Sequence, residues 1–544
     1  MRQVVLLSGH SCNGKSKLAK MLACRCGFHV FKTSDHLRTP KALNRDGLKK
    51  NGDLADIVSG HRWVLDEVKK LHGRLKRETP IVVDCLRNFK QIRHFRKQYE
   101  FEVTHVHLYA RQGALESRFR KKLTNKTAEL SHAEMSLLGE ADDIENIKND
   151  ADIRIFTERS DVGDVYTRVL AYLGHFASPD YRGVDVIVGG QYGSEGKGQV
   201  AAYLAQEYDV LMRVGGPNAG HSAARASGKY TYHSLPSGCR DTTADVIIGA
   251  GATIFIPELL KEIQDCGLDA SRLFIDPSAM VITPDDRAQE AKLVDSIGST
   301  GRGGGAAAAR RIMGRLNCVD GAMLAAKYDQ LHPFIKSAHE RLQLAFLKRE
   351  RVLLEGTQGS ELSLFHGEYP FVTSRDTNIS GCLAEAGIPP ARVRKSLLVV
   401  RYTPIRVESP KGGTSGTLKN ETTFETVANM ALIPEDLNEK EKTSTTHRQR
   451  RVAWFDWEQF RKACELNGPT DIILTFADYQ HVKNREAHRF EQLTEDTIKF
   501  IEELQRVAQA PVSLINTRYP HDEVGPMDLR TLIDRRHWRI KLSN

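Results

Sequence analysis

Two apolar runs in this chain, "QVVLLSG" and "VDVIVGG", each empty into a glycine-rich loop carrying a lysine: "GHSCNGKS" at residues 9–16 and "GGQYGSEGKGQ" at residues 189–199. A short buried strand, such a loop and then a helix form a unit whose backbone N–H groups converge on phosphate. Two of these units in 544 residues exceed what one hydrophobic core holds, so the chain is expected to fold as two α/β domains. Further strand candidates at residues 80–88 and 101–110 alternate with helical stretches, the pattern of a parallel sheet. Turn formers in "HFASPDYRG" place the boundary, giving domains at 1–177 and 183–544 with a linker at 178–182.

Composition narrows the class without naming it. The formal net charge is +9, from 78 Lys and Arg against 69 Asp and Glu, a mild bias that suits phosphorylated small substrates. Basic stretches such as "RHFRKQ" and "RFRKK" come with no nucleic-acid-binding signature, so no nucleic-acid partner is expected. Nine scattered cysteines, with no CxxC and no zinc spacing, read as reduced thiols. No apolar stretch approaches a membrane span, and the expectation is a cytoplasmic protein with no membrane partner.

The first loop is a complete GxxxxGK[ST] pattern. Gly9 and Gly14 permit the tight turn, Lys15 neutralises phosphate, and the Ser16 hydroxyl can hold Mg2+. Asp84 ends an apolar strand, as an acid orienting that ion would. Asp35, Arg38 and Arg87 could grip an acceptor nucleotide, and Arg118 and Arg120 could close over a transferred phosphoryl group. Over roughly the first 175 residues these features resemble the P-loop nucleoside monophosphate kinases, which implies a P-loop NTPase-like parallel sheet.

The second loop is similar to that of adenylosuccinate synthetases, whose usual form is G-x-Q-W-G-D-E-G-K-G-K. Further blocks of that family follow in order: "RVGGPNAGHS", "HSLPSG", "IGSTGRGGG", "LLEGTQGSEL" with "GEYPFVTS", and "STTHRQRRVAWFD". The resemblance implies that the 6-oxygen of a purine nucleoside monophosphate is phosphorylated from GTP or ATP and then displaced by the amine of L-aspartate. It also implies roles: His221 and Gln358 stabilise charge on the oxygen, and Lys197 screens the phosphoryl within a loop shaped by Gly193, Gly196 and Gly198. The Gly220 carbonyl is a Mg2+ ligand, Asn218, Thr300 and Thr373 hold the acceptor, and Thr446, Arg448 and Arg450 bind the aspartate carboxylates. Arg315 corresponds to an arginine that reaches a neighbouring subunit, implying a homodimer.

Departures from the family pattern carry as much information. Ser194 stands where the family has its catalytic aspartate, and a serine hydroxyl is a far poorer base. In one reading the acceptor carries a 2-amino group, as dGMP or GMP does and IMP does not. Serine leaves room for that amine, as in the phage enzymes that make 2-aminoadenine nucleotides, and Glu195 or a water on Ser194 assists proton removal. In the other, the domain is an inactive nucleotide sensor in a regulatory or defence protein with a P-loop switch. "LTFADY" keeps Asp478 of a guanine-reading motif but has Phe476 in place of its lysine, leaving the donor open between GTP and ATP.

Overall fold

The computed structural model describes residues 1–38, 45–76, 78–123, 146–225, 228–316, 323–409, 414–442, 448–518 and 531–539. The chain divides into two compact units, Met1–Phe176 and Ala177–Asn544.

The first unit is built on five parallel strands: β1 (Arg2–Ser8), β2 (His29–Lys32), β3 (Ile81–Leu86), β4 (Phe101–Tyr109) and β5 (Ile153–Phe156), in the spatial order β2-β3-β1-β4-β5. Strand β1 is apolar almost throughout because both faces of a parallel sheet are covered. Leu18 and Leu22 pack with Val5 and Leu7 on one side, and Val64, Val68 and Phe95 pack with Val4 and Leu6 on the other. With β3 and β4 flanking it, the loop after β1 opens at the point where the connections diverge, the usual ligand crevice of an open α/β sheet.

The second unit holds a nine-stranded sheet. Its strands are β6 (Val184–Gly189), β7 (Val210–Arg213), β8 (Asp245–Ile248), β9 (Leu273–Ile275), β10 (Val352–Glu355), β11 (Val393–Arg401), β12 (Asp471–Thr475), β13 (Val512–Asn516) and β14 (Leu532–Asp534). They lie in the order β9-β8-β7-β10-β6-β11-β12-β13-β14, all parallel except β14. All six residues of β6 are buried, including Asp185, whose charge is met by the Arg394 guanidinium and the Tyr208 hydroxyl. A small antiparallel sheet of Ile405–Val407, Arg450–Ala453 and Glu421–Thr422 carries one of the expected aspartate-binding arginines.

Residues read from sequence as a linker are held against the second unit. Arg392 donates to the carbonyls of Ser178 and Tyr181, and the Tyr181 hydroxyl donates to the Glu350 carbonyl at 2.8 Å. Among the described residues, no helix is long and apolar enough to cross a membrane.

Candidate active site

Both loops use the same device: a glycine in the left-handed region, then a lysine as the first residue of the helix. Gly14 (φ 90°) precedes the helix Lys15–Cys26, and Gly196 (φ 83°) precedes the helix Lys197–Leu204. Positive φ costs glycine little, so the chain turns sharply and presents the N–H groups of the first helical turn.

The lysines differ in what they touch. Lys15 Nζ donates to the carbonyls of Gly9 at 2.7 Å and His10 at 2.8 Å, bridging its own loop. Gly9 itself is required at its position, since a Cβ there would stand 1.9 Å from the Leu108 carbonyl oxygen. Ser16 Oγ donates to Asp84 Oδ2 at 2.7 Å, while Asp84 Oδ1 is buried with no hydrogen-bond partner among the described residues. A hydroxyl and an orphaned carboxylate oxygen are the oxygen donors Mg2+ takes beside phosphate, so this pair fits the ion. Arg118 is drawn back onto the end of β5, donating to Thr157 Oγ1 at 2.8 Å and to its carbonyl at 2.7 Å. Arg120 is exposed on the same helix, Gln112–Leu123, and Asp35 and Arg38 are exposed at the helix Thr33–Leu37.

In the second loop Lys197 pairs with Glu195 at 2.7 Å, both almost fully buried. Glu195 also accepts the N–H groups of Gln191 at 2.9 Å and Gly193 at 2.8 Å. Both oxygens are thus committed to folding the loop, a task different from the proton removal expected of this residue. Ser194 is half-buried, and its hydroxyl makes no hydrogen bond among the described residues. Gly198 lets the helix start lie on His221, where a Cβ would come within 2.7 Å of the histidine's own.

His221 is oriented from behind. Its Nδ1 lies 2.6 Å from Glu355 Oε1, and Glu355 takes the N–H and hydroxyl of Ser237, each at 2.7 Å. Nε2 is buried without a partner among the described residues. Burial, with Arg213 nearby, pushes the imidazole down to about 4 despite the carboxylate behind it, so it is neutral near pH 7. With Nδ1–H directed at Glu355, Nε2 carries a lone pair. Glu355 has no role in the family pattern read from the sequence; its signal there is a charged residue ending the apolar run of "LLEGTQGSEL".

Gln358 follows two residues after glycine 356 in a backbone conformation rare for anything but glycine (φ 58°). Its Oε1 accepts from Thr357 Oγ1 at 2.8 Å, and Arg375 donates to the same hydroxyl at 2.6 Å. Gln358, Asn218 and Thr373 line one cavity of about 640 Å3, and Asn218 Oδ1 is buried there without a partner among the described residues. Thr300 lies outside that lining, on the loop whose Ser299 carbonyl accepts from Arg448 at 3.3 Å. Thr446 lies outside the described residues. Arg450 donates to Glu441 at 2.9 Å. Arg315 is exposed and donates to the carbonyl of its own neighbour Ile312 at 2.8 Å. Asp478 is buried, with Arg485 donating to Oδ2 at 3.0 Å and Oδ1 unpartnered among the described residues; burial pushes its carboxyl up to about 6.

The oxygen expected on Mg2+ at this loop is the Gly220 carbonyl, and both carboxylate oxygens of Glu195 are already hydrogen-bonded. That donor set is too poor to hold Mg2+ without the phosphates of a substrate.

Comparison with known proteins bears on the second unit. The family model for adenylosuccinate synthetase matches residues 186–324 and 317–485. The adenylosuccinate synthetase of Methanococcus aeolicus is 33% identical over 341 residues, covering 61% of this chain and 96% of the relative. That of Thermococcus onnurineus is 35% identical over 363 residues, covering 64% and 98%. Among solved structures, the fully ligated adenylosuccinate synthetase of Plasmodium falciparum shares the fold, with a TM-score of 0.55 at 20% identity, covering 65% of this chain and all of that one. The cyanophage S-2L succinoaminodeoxyadenylate synthetase, bound to dGMP and to dATP as an energy donor, aligns with a TM-score of 0.51 at 26% identity, covering 62% and 93%. Through the unit that carries the Glu195–Lys197 loop and the His221–Glu355 pair, this chain belongs to the adenylosuccinate synthetase family.

Proposed function

We propose that the protein is a bifunctional purine nucleotide enzyme. Its second unit ligates L-aspartate to carbon 6 of a purine nucleoside monophosphate, dGMP or GMP in preference to IMP, through a 6-phosphoryl intermediate. Its first unit transfers phosphate to a nucleotide. The observation that carries the reading is the His221–Glu355 pair, beside the loop of Ser194: among the described residues the buried Nε2 has no partner and the Ser194 hydroxyl is uncommitted.

The chemistry follows from which groups are free. Ser194 is too weak a base to take the proton from ring nitrogen 1, and Glu195 is occupied. His221 Nε2 accepts that proton, directly or through the Ser194 hydroxyl, and Glu355 stabilises the imidazolium formed. As the N1–H bond breaks, the 6-oxygen attacks the terminal phosphorus of the triphosphate and the nucleoside diphosphate leaves. The imidazolium and the Gln358 amide then face the oxygen's charge, with Lys197 beside the phosphoryl. The amine of aspartate attacks carbon 6, phosphate departs carrying the proton that the amine loses, and the imidazolium returns its proton to solvent. Arg448 and Arg450 supply planar donors for the aspartate carboxylates.

Two observations favour the 2-amino acceptor: the short side chain of Ser194 and the likeness to a cyanophage enzyme solved with dGMP. In the first unit Mg2+, held by Ser16 and Asp84, would neutralise phosphate charge during transfer. The deciding experiment incubates the full chain with aspartate, Mg2+, GTP or ATP, and either IMP or dGMP, and weighs the products. A succinylated product from dGMP supports the reading. Triphosphate hydrolysis with no succinylated product in any combination rejects it in favour of a nucleotide-responsive switch.

A further inference from the structure

Glu441 is a buried carboxylate that the reaction above does not use, yet three separate elements converge on it. It is 4% exposed. Oε1 accepts the Tyr479 hydroxyl at 2.6 Å and is bonded by Arg401 NH2, and Oε2 accepts Arg450 NH1 at 2.9 Å. Arg401 ends β11 and is itself sandwiched, its guanidinium 3.7 Å from the Phe476 ring centre and 4.9 Å from that of Tyr479. Its backbone is clamped to the phosphate-loop residue Gln191 in both directions: Gln191 Nε2 donates to the Arg401 carbonyl and the Arg401 N–H donates to Gln191 Oε1, each at 3.0 Å.

The far end of this chain of contacts is the informative one. Glu441 holds Arg450 by NH1, one terminal nitrogen, and Arg450 Nε is buried with no partner among the described residues. A guanidinium gripped at NH1 keeps its Nε/NH2 edge, a two-donor fork that matches a carboxylate. A buried N–H without an acceptor is costly, so the free edge is explained by a ligand that completes it.

We propose that Glu441 is a positioning residue for the amino-acid substrate. It fixes Arg450 so that the Nε/NH2 edge meets a substrate carboxylate, and through Arg401 and Gln191 it sets that edge in register with the phosphate loop. The inference rests on the reading of Arg450 as an aspartate-binding residue. Although burial pushes the Glu441 carboxyl up, Arg401 and Arg450 hold it down at about 2, so it stays ionised wherever the enzyme works.

The test is steady-state ligation by the full chain, varying aspartate at saturating nucleotides and each nucleotide at saturating aspartate, for wild type, Glu441→Asp, Glu441→Gln and Tyr479→Phe. Glu441→Gln is expected to raise the aspartate KM about tenfold or more, with kcat and both nucleotide KM values within about threefold. Glu441→Asp, which keeps the charge but withdraws it by one methylene, is expected to fall between. Should Glu441→Gln fail to fold because two arginines lose their counter-ion, Glu441→Asp and Tyr479→Phe carry the test, each expected to raise the aspartate KM about two- to fivefold. An unchanged aspartate KM in the folded variants, or a parallel rise in all three KM values, overturns the proposal. A wild-type chain that ligates no amino acid defeats the functional reading and this inference with it, whereas an active wild type with an indifferent Glu441→Asp defeats this inference alone.

Discussion

Glu355 Oε1 stands 2.6 Å from His221 Nδ1, and the other nitrogen of that ring is buried with no hydrogen-bond partner among the described residues. A carboxylate behind an imidazole fixes the tautomer and stabilises the cation once a proton arrives at the open nitrogen. Glu355→Gln should therefore lower kcat about a hundredfold, with nucleotide KM values little changed, in steady-state ligation assays. The pH profile gives the sign independently. In the free protein His221 is held down at about 4, so it is a competent proton acceptor above that value and is lost as one below it. The acid limb of kcat/KM attributable to this group should fall near pH 4 in wild type and not near the 6.5 of an ordinary histidine.

Under the proposed reading, Ser194 leaves room beside the acceptor that a longer acid would fill. Ser194→Asp is expected to shift the ratio of kcat/KM values for IMP over dGMP by about tenfold or more toward IMP, since the added carboxylate crowds a 2-amino group. Competition between the two acceptors, read by product mass, measures it. An unchanged ratio would remove the steric argument for the 2-amino acceptor.

The parts of this site that were legible in sequence are the ones carried by backbone geometry. Gly9 and Gly198 sit at close approaches that a Cβ would block, and Gly14 and Gly196 at a positive φ that favours glycine, so phosphate loops announce themselves over a few residues. Lys197, His221 and Gln358 sit inside such blocks. Glu441 and Arg401 do not: one lies beside a polar stretch, the other ends the run "SLLVVR", and each looks like an ordinary surface charge until folding brings residues forty apart together. Glu195 shows the same limit of a local reading. Its neighbour two residues on is Lys197, and only the folded loop shows the two paired and the carboxylate used up by backbone N–H groups. Residues 178–182 looked like a linker from their turn formers, and side-chain bonds from Arg392 made them part of the second unit.

The two loops should be separable. Lys15→Met and Asp84→Asn strip the first unit of its phosphate counter-charge and of the carboxylate at Ser16, and neither residue belongs to the second unit. Nucleotide phosphoryl transfer is expected to fall about 100- to 1,000-fold, while ligation of aspartate stays within about twofold of wild type. Assaying both reactions on the same preparation checks it. Loss of ligation in a folded Lys15→Met protein would show that the two reactions share the first loop.

Beneath the first loop, Ser8 Oγ lies 2.6 Å from His105 Nε2 and 2.9 Å from His107 Nδ1, all three residues fully buried. His105 faces Asp150, Asp152 and Arg96, and His107 faces His105, His10, Lys15 and Lys148. Burial pushes His105 down to about 4 and His107, with help from its cationic neighbours, down to about 3. Both are neutral in the folded chain near pH 7, and in the unfolded chain they protonate near 6.5. Above 6.5 neither state takes a proton and the pair adds no pH dependence. As pH falls below 6.5 the unfolded chain binds protons that the folded unit refuses, so stability declines progressively until the folded values are reached. Between pH 7 and pH 5 the first unit should lose roughly 2–4 kcal/mol, before most carboxylates titrate. Hydrogen exchange of the β1 and β4 amides in the full chain at pH 7, 6 and 5, corrected for intrinsic exchange rates, measures this. His107→Asn, which removes one of the two titrating groups, should flatten the decline by about half; an equally steep decline in that variant would place the pH dependence elsewhere.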